Sequence, residues 1–145
     1  MKKIDSQYCF SVNDQINYPF SIFNNDKFIA LHSNNFKKVY KYLLIENKNM
    51  VCVGYIIFAA HKANKLISPI NGSFGGFQFK EKLKLDVKEK FIEKVLNDIY
   101  SKNHEHIEII LPPDIYDFEN NSTQLSILLK NSFFITIDYT PIKKI

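Results

Sequence analysis

The chain has 145 residues, of which 46% are hydrophobic and 23% charged, a balance that excludes a disordered tail and leaves room for one domain with a sizeable core. Its formal charge of +4 arises from 19 basic residues, every one of them Lys, against 15 acidic ones. Lacking the guanidinium fork that grips a guanine edge or a phosphate with two bonds, the chain is not expected to read nucleic acid by sequence, and its charge reads as a solvated surface.

Cys9 and Cys52 are the only thiols, and they lie too far apart in sequence for a redox pair. They predict reduced side chains in a cytoplasmic setting. Met1 to Val12 meets Asp5, Ser6 and Gln7 before any apolar run, so no signal peptide is expected. The longest apolar stretch, Val51 to Ala60, has about half the length that a bilayer-spanning helix needs. No membrane span is expected either.

Tyr8 to Val12 predicts a short first strand, followed by a loop through Pro19. Asn24 or Asn25 can cap a helix that carries Phe28, Ile29 and Leu31 and stops in the Ser33-Asn34-Asn35 cluster. Three strand-like runs come next: Val39 to Glu46, Met50 to Ala60, and Lys65 to Ile70. Their connectors, Asn47-Lys48-Asn49 and His61-Lys62-Ala63-Asn64, have hairpin length, which predicts an antiparallel meander. In the second run strict alternation puts Val51, Val53, Tyr55, Ile57 and Ala59 on one face, and Cys52, Gly54, Ile56, Phe58 and Ala60 on the other. Both faces are apolar, as in a central strand covered on two sides.

Lys80, Lys82 and Lys84 alternate with Phe79, Glu81, Leu83 and Leu85 in the manner of a strand with one wet face. Asp86-Val87-Lys88-Glu89 has capping-box spacing. Phe91, Ile92, Val95, Leu96 and Ile99 then recur at helical spacing, with Lys88, Glu89, Glu93, Lys94 and Asp98 for the wet side. Ile107 to Leu111 reads as a strand stopped by Pro112-Pro113. Asn121 or Ser122 can cap a last helix through Leu125, Leu128 and Leu129, and Ile135 to Tyr139 alternates as a final half-buried strand. No repeat or linker divides the chain, so residues 1 to 145 form one domain.

Three of the four glycines fall in Pro69-Ile70-Asn71-Gly72-Ser73-Phe74-Gly75-Gly76-Phe77. Such a run permits positive φ or a close backbone approach, either as a tight turn or bulge of the sheet or as a loop facing a ligand. The segment from Ser68-Pro69 to Gly75-Gly76-Phe77 resembles the "SP…FGGF" stretch of Fem-like proteins related to the GNAT acyltransferases. Ile110-Leu111-Pro112-Pro113 followed by Ile115-Tyr116 is similar to the segment after their next strand, and the order of elements resembles the GNAT fold. The resemblance covers residues 24 to 140. It implies an α/β fold, a mixed and mainly antiparallel GNAT-like sheet flanked by helices, incomplete in that the Fem-like proteins continue into a second GNAT-like half.

For function it implies an acyltransferase of bacterial cell-wall or surface-polysaccharide pathways, moving an acyl group from acetyl-CoA or another acyl-CoA to an amine. Gly72, Ser73, Gly75 and Gly76 would cradle the pyrophosphate of the donor. Asp114, Tyr116 and Glu119, just beyond the strand end, would serve as the groups that take and return protons. The sequence departs from that pattern in the long segment Phe77 to Leu85 and in Asp86 and Glu89, whose negative charge opposes an anion at the following helix. An alternative is a non-catalytic scaffold that completes its sheet with another copy or a second GNAT-like chain. Single-strand binding by Lys with Tyr and Phe is weaker, because most aromatics fall at core spacing.

The remaining reactive residues read blandly. Cys52 lies inside a doubly apolar strand, as a small core residue does. His104 and His106 lack a third ligand at metal spacing, so no metal is expected, and His32 and His61 fall at a helix end and a turn. No spacing implies a nucleophilic triad.

Overall fold

The computed structural model describes residues 2–14, 26–61, 64–72, 74–104 and 106–137. Chain order runs β1 (Lys2–Lys3), β2 (Tyr8–Val12), α1 (Asp26–His32) with a following 3-10 turn (Ser33–Asn35), β3 (Lys38–Glu46), β4 (Val51–Ala60), β5 (Lys65–Ser68), β6 (Gln78–Phe79), α2 (Leu85–Ser101), β7 (His106–Ile109) and α3 (Asp114–Lys130). The architecture is mixed α/β. Among the described residues seven strands form one open sheet in the order β1-β2-β3-β4-β5-β7, with β6 also on β4. Every described pair is antiparallel except β5 and β7, which run parallel from Lys65↔His106 to Ser68↔Ile109.

The three middle runs form the expected meander, and β4 is covered on both faces. Strict alternation along it fails, however. Leu44 faces Gly54 while Ile45 faces Cys52, so Val53 is an extra residue opposite that step, a β-bulge. Past the bulge the faces exchange: Val53 packs with Ile56, Phe58 and Ala60 in one core, and Cys52 with Tyr55, Ile57 and Ala59 in the other. Cys9 and Cys52 both face Ile45, one from each side, so a whole strand separates the two buried thiols. That separation exceeds the reach of a disulfide.

Helix α2 buries Val87, Phe91, Ile92, Val95, Leu96 and Ile99 against the first core, as its spacing predicts. Its N-cap lies two residues before the expected one. Lys84 occupies the N-cap with no side-chain bond, and Asp86 falls in the first turn, so the Asp86–Glu89 capping box does not form. The expected strand through Lys80, Lys82 and Lys84 shrinks to Gln78–Phe79. Lys80 N–H still donates to Val53 O at 2.8 Å, then Lys82 turns the chain at φ 63 toward α2.

Helix α3 starts at Asp114 instead of Asn121 or Ser122, with a break at Asp117 (φ −160, ψ 64). The residues between Pro113 and Asn121 are therefore helical on both sides of a break at Asp117, ahead of the expected cap. Of α1, Ile29 is buried and Leu31 is 77% exposed, because the two lie on opposite sides of a seven-residue helix. Ile135 to Ile137, the described part of the expected last strand, pair with no strand among the described residues. The Asn24 and Asn25 caps, the loop at Pro19, and Asp138 and Tyr139 lie outside the described residues.

Candidate functional site

Strand β3 pairs along the whole of β4 on one side, so β5 and β6 must share the other side, end to end. In sequence, Pro69 to Phe77 connects β5 to β6. The ligand-loop reading requires free amides here, and the bond partners decide whether it has them.

Gly75 N–H donates to Ile110 O at 2.7 Å, and Ile110 N–H donates to Ser68 O at 2.8 Å, so the loop continues the ladder where β5 leaves it. Gly76 N–H donates to Ser68 Oγ at 3.2 Å. Phe77 N–H donates to Gln124 Oε1 at 2.9 Å, and Phe77 O accepts from Asn120 Nδ2 at 2.7 Å and Gln124 Nε2 at 3.4 Å. Three consecutive amides thus have internal partners. Both glycines are sterically required: a Cβ on Gly75 would collide with Ser68 and the nitrogen of Pro69, and one on Gly76, held at φ +93, would lie 2.6 Å from Leu111 Cδ2. Gly75, Gly76, Phe77 and the Gln124 side chain that binds Phe77 are all buried.

The other candidates are more open. Gly72 is half-buried and Ser73 lies outside the described residues. Asp114, Tyr116 and Glu119 are exposed on the first turns of α3. Asp114 Oδ1 accepts from Asn121 Nδ2 at 3.2 Å, and the Tyr116 ring approaches Phe74 with centroids 6.5 Å apart. The structure therefore brings the glycine segment and the start of α3 together, through Phe74 and Tyr116, and through Phe77 with Asn120 and Gln124.

Asn120 and Gln124 escaped sequence reasoning, and Ser68 and Asn121 entered it only as a motif residue and a cap, yet the four carry the polar chemistry of this end of the sheet. Asn120, Gln124, Ile127 and Leu128 recur at helical spacing on one buried face. Polar residues embedded in an apolar period were the available signal. Asn121 also donates to Pro112 O at 2.7 Å, tying α3 to the segment that leaves β7.

A second polar cluster stands at the opposite end of the sheet. Tyr42 Oη donates to Asp98 Oδ2 at 3.1 Å, Asp98 pairs with Lys102, and Lys102 Nζ lies over the Tyr40 and Tyr42 rings at 5.2 and 5.5 Å. Burial, reinforced by Asp98, raises the Tyr42 hydroxyl far above its ordinary range, so it stays a donor. His104 Nε2 lies 3.3 Å from Tyr40 Oη. These contacts gather around the buried Tyr42 ring and tie α2 to β3, while the buried Nδ1 of His104 has no hydrogen-bond partner among the described residues.

Burial pushes the Cys52 thiol up to about 11 and raises Cys9 as well, which suppresses the thiolate that nucleophilic chemistry requires. Among the described residues no three His, Cys, Asp or Glu gather in a way that could hold a metal. No described helix is long and apolar enough to cross a membrane.

Comparison with family models, curated proteins and solved structures finds no match to this chain.

Proposed function

We propose that this chain is a GNAT-like assembly module, a non-catalytic domain that completes its sheet at the outer edge of β7 with a strand from another chain. The observation that carries this reading is the condition of β7. Among the described residues it ends the sheet with β5 as its only strand partner. Ile107 and Ile109 touch the first core but remain half-buried, whereas Ile56 and Phe58 on the same face of β4 are fully buried. A further strand would close that difference.

The competing reading is transfer of an acyl group from acetyl-CoA or another acyl-CoA, with Asp114, Tyr116 and Glu119 handling protons. It is favoured by one feature, the glycine segment at the end of a parallel strand pair beside the start of α3. It is opposed by the amides of Gly75, Gly76 and Phe77, which would have to leave Ile110, Ser68 and Gln124 to meet a pyrophosphate.

Light scattering over a concentration series, together with thermal melts in acetyl-CoA, separates the two. Assembly gives a concentration-dependent oligomer whose melting temperature acetyl-CoA leaves unchanged. A monomer stabilised by acetyl-CoA overturns the assembly reading, since a ligand held only by the folded chain raises its stability through mass action.

A further inference from the structure

We infer that the strand received by β7 is the run Phe133–Ile137 of a second copy of this chain, exchanged reciprocally. The inference rests on the assembly reading and names its partner. It starts from how α3 ends. Ser132 takes φ 66, Ser132 N–H donates to Leu129 O at 3.1 Å, and Phe133 N–H donates to Leu128 O at 3.2 Å, a helix stop that seats Phe133 against the first core. Beyond it Phe134 is 97% exposed, Ile137 65% and Ile135 47%. Phe-Ile-Thr-Ile is rich in the β-branched and aromatic residues that suit a strand, and within one chain it pairs with none that is described.

The edge and the run match residue for residue. Ile110 turns both its N–H and its C=O toward the β5 side, to Ser68 and Gly75. By the alternation of a strand, Ile107 and Ile109 turn theirs outward, so the groups awaiting a partner belong to the two half-buried isoleucines. In an extended run Ile135 and Ile137 share the face of Phe133, the residue already seated in the first core. Laid beside β7 they extend that core past Ile107 and Ile109, while Thr136 comes beside the exposed Glu108 on the other face. Each copy holds one such edge and one such run. Reciprocal exchange therefore closes as a two-fold dimer with neither left over.

The test uses the full chain with Glu108→Cys and Thr136→Cys. The native thiols are buried, so the introduced pair dominates under mild oxidation. Mixing the two single variants is expected to give a disulfide-linked dimer, and I135K/I137K is expected to weaken the dimer at least tenfold in sedimentation at unchanged melting temperature of the monomer. A dimer in light scattering that neither cross-links nor responds to I135K/I137K overturns this strand assignment and leaves the assembly reading standing. A monomer throughout overturns both. A double-cysteine variant that closes within one chain while remaining monomeric shows that the run covers its own edge and overturns the exchange.

Discussion

Two irregular stretches of this molecule meet opposite fates. Gly75 to Phe77 is buried, with each amide engaged by Ile110, Ser68 or Gln124. Phe134 to Ile137 leaves α3 with its side chains in the open. Glycine permits the first outcome, because a backbone without Cβ can approach Ser68 and Leu111 closely enough to use their neighbours as bond partners. In the second, Phe134, Ile135 and Ile137 keep bulky apolar side chains in water. The contrast teaches that a glycine-rich loop is by itself no measure of a ligand site.

The comparison breaks first at Gly75. Gly75→Ala is expected to cost about 3 kcal/mol in urea unfolding, since its methyl meets backbone that cannot yield. A change within the noise of the measurement would mean that the loop is not seated as described.

Alkaline titration reaches the second core. With the Cys52 thiol up at about 11 in the fold against an ordinary 9.0, the folded chain keeps a proton that the unfolded chain releases. Stability is then fully present below pH 9 and falls between pH 9 and 11, by about 2 kcal/mol from this group. Cys52→Ala should flatten that stretch of the pH profile, although burial of Tyr42 adds a loss of the same sign. An unchanged slope in the variant would assign the loss elsewhere.

Gln124→Ala sharpens the account of the loop. It strands the buried Phe77 N–H, with an expected loss of about 2 kcal/mol read by chemical denaturation. Amide exchange at Phe77 should accelerate together with that loss. The smallest effect belongs to the open stretch, where Phe134→Ser should move monomer stability by no more than about 0.5 kcal/mol in dilute thermal melts. A larger loss would show that Phe134 is packed.

Much of this fold was legible. Phe91 to Ile99 announced α2 and its buried side, and the connectors after Glu46 and Ala60 announced the meander. Errors gathered where a distant partner overrides the local signal. Asp86 has the right spacing for a cap, but Phe79 and Lys80 bind to β4 and bring Lys84 into the N-cap first. Asn121 is a good cap in isolation, yet Pro112 and Asp114 engage its side chain inside a helical stretch that began about two turns earlier. The β4 bulge left no trace in the alternation of β4, because both faces there are apolar and a one-residue slip changes no pattern.

The candidate site was legible as a location only. Glycines at 72, 75 and 76 marked the end of β5, and the prolines at 112 and 113 marked the end of β7. Whether the glycine amides face a ligand or the protein depends on Ser68 and Gln124, one before the run and one nearly fifty positions after it. Periodicity by itself determined the helices and the central strands, since amphipathic spacing dictates which residues must be hidden from water. Hydrogen-bond partners that close the loop and leave the edge open were decided by tertiary structure alone, because a backbone amide carries no record in sequence of which distant acceptor will reach it.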